Sequence, residues 1–97
     1  MNKVKYFETL IDACINIRRI NVQSSQNSNK EQNFQLLDLF FQVGNWFCHA
    51  YNEKSATWKI LKLDKFQKVA IAISQDSLIN RKELVASFKQ YEAWVVM

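Results

Sequence analysis

A chain of 97 residues holds one hydrophobic core and not two, and 48% hydrophobic against 23% charged residues places it among chains that fold. One Gly and no Pro argue against a many-stranded protein, whose turns lean on those two residues, and favour helices. The net charge of +4 tilts the protein toward anionic partners, but thirteen cations and nine anions are interspersed, without the dense basic block of a nucleic-acid arm.

Residues 3–21 repeat apolar side chains at helical spacing (Phe7, Leu10, Ile11, Cys14, Ile17), which predicts a first helix. Glu8 and Asp12 interrupt this pattern, and no small-residue cleavage site follows, so it does not read as a secretory signal. Residues 23–33 contain no hydrophobic side chain and read as a flexible polar loop. Within it, Ser28 and Glu31 fit a capping box that would start a second helix near residue 29.

That second helix is predicted to run to about residue 52. Its polar positions Gln35, Asp38, Gln42, Asn45, His49 and Asn52 fall in one narrow strip, leaving an apolar arc of roughly 220° against the roughly 100° of a surface helix. The first helix shows a similar surplus. Two helices of this kind exceed what a small bundle can cover, which suggests a shared internal core or a partner that completes it. The stretch 36–51 is broken by polar residues and is shorter than about 20 residues, so no membrane span is expected.

From residue 58 the helical phase falters, because Lys59 and Lys62 intrude on the side of Phe66, Val69, Ala70 and Ile73. The segment WKILKL reads as an irregular turn or short helical piece, since a strand there would lack an obvious partner. Asp64 with Gln67 signals a third helix over 65–75. The best start signal is Asn80 with Glu83, framed by Ile79 and Leu84, for a fourth helix over about 80–96 with a face of Leu84, Phe88, Tyr91 and Val95. The apolar ending AWVVM is expected to be docked. The expected fold is an all-α single domain: a four-helix bundle, or three long helices plus a short one.

The catalytic inventory is thin. One glycine, Gly44, excludes nucleotide-binding loops, and Cys14, Cys48 and His49 fall short of a zinc ligand set. A Glu-x-x-His di-iron motif would need Glu where Trp46 stands. Residues 74–84 offer Ile79 and Glu83 at the spacing of a calcium loop, but Ala72 and Ser77 fill the positions that need a ligand and a Gly. His49 is expected to be a solvated or hydrogen-bonded residue paired with Glu53, and both cysteines to be reduced core thiols of a cytoplasmic protein. No cofactor, metal or small-molecule substrate is expected, and no enzymatic activity.

The leading expectation is a protein–protein interaction module, of the inhibitor, immunity or antitoxin kind or a small assembly subunit. It would dock another protein or a second copy of itself through an apolar aromatic surface made of Leu39, Phe40, Phe41, Trp46, Phe47 and Trp94. Arg18, near the end of the first helix, is read first as a cap of its carbonyls, then as a partner of Asp38 or of another molecule. The alternative is a nucleic-acid-binding regulator. The third and fourth helices would form a helix-turn-helix, with Arg81, Lys82 and Lys89 facing nucleic acid and Lys62, Lys65 and Lys68, within the lysine cluster of residues 54–68, on phosphate.

Overall fold

The computed structural model describes residues 5–27 and 30–96. In chain order it holds helix α1 (Phe7–Ile15), strand β1 (Arg19–Ser24), a 3-10 turn (Ser25–Asn27), β2 (Glu31–Gln42), β3 (Asn45–Asn52), β4 (Thr57–Lys62), a second 3-10 turn (Leu63–Lys65), β5 (Phe66–Ile71) and helix α2 (Arg81–Val96). The expected all-α bundle is overturned. The body is one five-stranded sheet in the order β4-β3-β2-β1-β5, with every neighbouring pair antiparallel.

The connection between β4 and β5 forces this sheet to curl. The two strands lie at opposite edges, which in a flat sheet are four inter-strand steps, roughly 19 Å, apart. Only Leu63–Lys65 joins them, and the path from Lys62 to Phe66 reaches at most about 14 Å. Register shifts between Gln23 and Ser24 and between Leu36 and Asp38 supply local bends. At the closing corner Ser25 Oγ donates to Lys65 O, and Lys62 N–H donates to Gln26 Oε1 at 2.7 Å, so the two 3-10 turns hold each other.

Inside the curl, Leu10 and Ala13 of α1 join Ile20, Val22, Phe34, Leu36, Cys48, Ala50, Leu61, Leu63 and Phe66 in one buried cluster. The other face is covered by the segment after β5. Gln35, 1% exposed, donates through Nε2 to Ile79 O and accepts Ile79 N–H at Oε1, both at 2.9 Å. Beyond that clamp, α2 seats Phe88 against His49 and Trp58, with ring centroids 4.5 and 5.1 Å away.

Coverage of both faces explains the misread second helix. A strand with one wet face alternates apolar and polar residues, whereas the central strands β2 and β3 meet α1 on one side and α2 on the other. Their apolar residues therefore recur without clean alternation, and the extra residue at the Leu36/Asp38 bulge shifts the phase again. The first predicted helix is half its expected length: Ile17, at φ 52°, turns the chain into β1, where Ile20 and Val22 alternate. Its first two residues, 3 and 4, lie outside the described residues.

The polar loop of 23–33 is the end of a hairpin, since Gln23 and Ser24 finish β1 and Glu31 begins β2. Ser28, the cap expected there, lies outside the described residues. WKILKL is not a turn or helical piece: its first five residues lie in β4, whose partner is β3, and Leu63 begins the second 3-10 turn. The third helix does not form: Asp64 sits in a 3-10 turn and Gln67 in β5. The fourth does form, and Asn80 Oδ1 accepts Glu83 N–H at 2.9 Å as its cap pattern predicts. Leu84 is buried on its inner face; the side chains of Val95 and Val96, and all of Met97, lie outside the described residues.

The scarcity of glycine is met by other residues in left-handed conformations, among them Ile17, Val43, Ala56 and Ser77. Val43 (φ 49°) and Gly44 (φ 78°) make the two-residue turn between β2 and β3, a conformation that favours Asn-Gly.

Candidate nucleic-acid interface

Strand pairing decides where the flagged side chains go. Neighbouring residues in a strand point to opposite faces, so the apolar surface expected from 39–47 is divided. Leu39 and Trp46 pack against the inner core, with Trp46 5.0 Å edge-on to Phe7 of α1 and 5.4 Å from the exposed Phe41. Phe40 and Phe47 lie on the outer face, stacked 5.5 Å apart, and Phe40 stacks on His49 at 4.6 Å. Trp94, 83% exposed, stands far along α2. These residues do not form one helical surface.

Arg18 is exposed and pairs with Asp12 at 3.4 Å. The carbonyl cap expected of it comes instead from Arg81, whose guanidinium donates to Cys14 O at the end of α1. Asp38 is taken by His49, whose Nδ1 lies 2.7 Å from Asp38 Oδ1, so the expected His49–Glu53 pair is absent. Glu53 accepts from Arg19 instead, at 2.7 Å.

Arg19 gave no signal in the sequence beyond its charge. It is 9% exposed, and besides Glu53 it donates to the carbonyls of Ser74 and Asp76 at 3.0 and 2.9 Å. It borders an open groove of about 800 Å³ whose lining includes Asn21, Asn33, Lys30 and Lys54. The cations Arg19, Lys30 and Lys54 are matched there by Glu31, Glu53 and Asp76, so the groove carries no excess of positive charge.

The basic excess lies at the closing corner. Lys62 ends β4, Lys65 sits in the 3-10 turn and Lys68 in β5. On one helix these steps of three would drift about 60° each around the axis; a strand, turn and strand gather them around a single bend. Lys65 and Lys68 are exposed, and Lys62 Nζ lies 3.6 Å from Asp64, a solvated contact of small energetic weight. Lys82 and Lys89 are exposed on α2, but no helix-turn-helix presents them, since the element before α2 is β5.

Neither thiol is prepared for chemistry. Burial pushes the Cys14 thiol above its ordinary value, and burial, helped by the Asp38 charge, pushes Cys48 up to about 12. Among the described residues no group of three or more His, Cys, Asp or Glu side chains can hold a metal ion. Among them too, no helix is long and apolar enough to cross a membrane.

A family model described as the WYL domain matches residues 5–71, which span α1 and the whole sheet. The chain belongs to the WYL domain family. The WYL match ends with β5, so α2 lies outside it. The same fold appears in the solved structure of proteasome accessory factor B/C (PafBC) of Arthrobacter aurescens, with a TM-score of 0.65 and 18% identity. The likeness covers 75% of this chain and 12% of that one, so the WYL chain corresponds to a small part of that protein. No curated protein matches it.

Proposed function

We propose that this WYL domain is a nucleic-acid-binding regulatory module, acting by binding rather than catalysis and taking phosphates on Lys62, Lys65 and Lys68. The gathering of these lysines around one bend carries the reading, because phosphate contacts supply most of the affinity in non-specific nucleic-acid binding. Support also comes from the net charge of +4 and from the occurrence of WYL domains in nucleic-acid-related regulators. It replaces the helix-turn-helix geometry expected from the sequence.

The test is fluorescence anisotropy with labelled mixed-sequence oligonucleotides. Three phosphate contacts give a log–log salt slope of about −2 for single strands, or roughly a 20-fold loss of affinity between about 50 and 200 mM salt. The variant K62A/K65A/K68A should lose most of the affinity and most of the slope. A wild-type protein that binds no oligonucleotide at low salt refutes the proposal.

A further inference from the structure

We propose that the groove bordered by Arg19 binds a short peptide with free termini, about three residues long, with its ammonium end at Glu53 and Asp76 and its carboxylate end at Lys30. The inference does not depend on the nucleic-acid reading above, and the lysine corner takes no part in it. The acidic end is built around one buried guanidinium. Arg19 Nη2 donates to Glu53 Oε2 at 2.7 Å and to Asp76 O at 2.9 Å, so these two residues converge on a single atom. Gln75 fastens the same segment again: its Oε1 accepts Arg19 N–H at 2.8 Å, and its Nε2 donates to Arg19 O at 2.9 Å. Arg19 is thereby committed to holding the wall of the groove. What is left there accepts hydrogen bonds. Glu53 Oε1 is buried without a partner among the described residues, and there the Asp76 carboxylate has none either, since Asp76 bonds through its main chain. An ammonium group, with three protons to donate, matches both.

The rest of the groove complements a peptide. Asn21 Nδ2 donates to Asn33 Oδ1 at 3.0 Å, which leaves Asn21 Oδ1 and Asn33 Nδ2, one acceptor and one donor, for a peptide N–H and C=O. The strand register sets this amide pair beside the acidic end. Arg19 pairs with Gln35 and Gln35 with Tyr51, and Asn21, Asn33 and Glu53 each stand two residues farther toward the same end of the sheet. Lys30 is exposed and three residues from Asn33, about 10 Å at the rise of a strand, which is also about the span of an extended three-residue peptide. A free amino acid is too short to reach both ends. Charge selects in the same direction: a polyanion would meet Glu31, Glu53 and Asp76, and a polyamine Lys30 and Lys54, whereas a ligand with one charge of each sign meets a partner for both. The volume of about 800 Å³ is that of a site for a small ligand.

The experiment is calorimetric titration of the whole chain with trialanine, N-acetyl-trialanine, trialanine amide and alanine. Trialanine should bind measurably, and acetylation of its amine should weaken it about tenfold, the weight of a hydrogen bond to a charged group. Amidation of its carboxylate should weaken it about threefold, because Lys30 is solvated. Asp76→Asn should weaken trialanine and leave the acetylated peptide unchanged, and Lys30→Met should abolish the difference between trialanine and its amide. Neither side chain makes a hydrogen bond or ion pair among the described residues, so both variants should melt at the wild-type temperature. Absence of binding at millimolar trialanine, equal affinity for the acetylated peptide, or alanine binding as tightly as trialanine each overturns the proposal. Displacement of bound trialanine by an oligonucleotide would assign the groove to nucleic acid and overturn it as well.

Discussion

Removing the Arg19 side chain should be among the most damaging single changes, although its charge lies on the sheet face opposite the core. In Arg19→Met, the carbonyls of Ser74 and Asp76 lose charged donors at 3.0 and 2.9 Å, and Glu53 loses its partner at 2.7 Å. Bonds from a charged donor contribute roughly 1.5–3 kcal/mol each, and breaking a buried ion pair from one side costs about 3–5 kcal/mol. The Glu53 side chain is 30% exposed, so water recovers part of its solvation, and the whole change should cost about 3–4 kcal/mol. Glu53 Oε1 is already buried without a hydrogen-bond partner among the described residues, which leaves the carboxylate little to fall back on. Urea unfolding of wild type, Arg19→Met, Glu53→Gln and the double variant measures the loss and the coupling. The double variant should be less unstable than the sum of the singles by about 1–3 kcal/mol, because Glu53→Gln removes the stranded charge. A loss below about 1 kcal/mol for Arg19→Met, or strict additivity, would refute the reasoning.

Two further outcomes follow from the backbone and the core. Val43→Asn should raise stability by about 1 kcal/mol, seen as a higher melting temperature, because Val43 is 90% exposed and branched at φ 49° while Asn-Gly suits this turn; an unchanged or lower value would contradict the assignment of strain. For Cys48, the thiol in the folded protein keeps its proton up to about 12, whereas in the unfolded chain it titrates near 9. Above pH 9 the folded state binds more protons than the unfolded state, so stability should fall as pH rises, by on the order of 1 kcal/mol at pH 10. Unfolding curves of Cys48→Ala should lack that component; equal slopes for the two proteins would exclude it.

The sequence was legible where local rules dominate. Asn80 and Glu83 mark the start of α2, and Leu84 and Phe88 mark its buried face, because a helix and its cap are written within a few neighbouring residues. The sheet was not legible, for two physical reasons. Its turns use Val43, Ala56 and Ile17 at left-handed φ where glycine would have announced them. Its central strands are greasy on both faces, so Leu36, Leu39 and Phe40 fit a helical repeat as well as a bulged strand. Lys62, Lys65 and Lys68 could be flagged by charge, but their gathering depends on the short crossing from β4 to β5, a non-local property of the curl. Arg19 had no signal beyond its charge, since its acceptors lie more than 30 residues away in sequence.

The pair of hydrogen bonds between the Gln35 amide and the main chain of Ile79 works as an index pin. Ile79 is tied to this amide at one end, and Ala72 N–H donates to Arg19 O at the other, so the stretch from Ala72 to Ile79 is anchored at both ends. Surface connections usually tolerate an inserted residue cheaply. Here an inserted residue must be taken up between the two anchors or else break the bonds to Gln35 and carry Phe88 away from His49 and Trp58, so the seating of the last helix depends on one buried glutamine on the second strand.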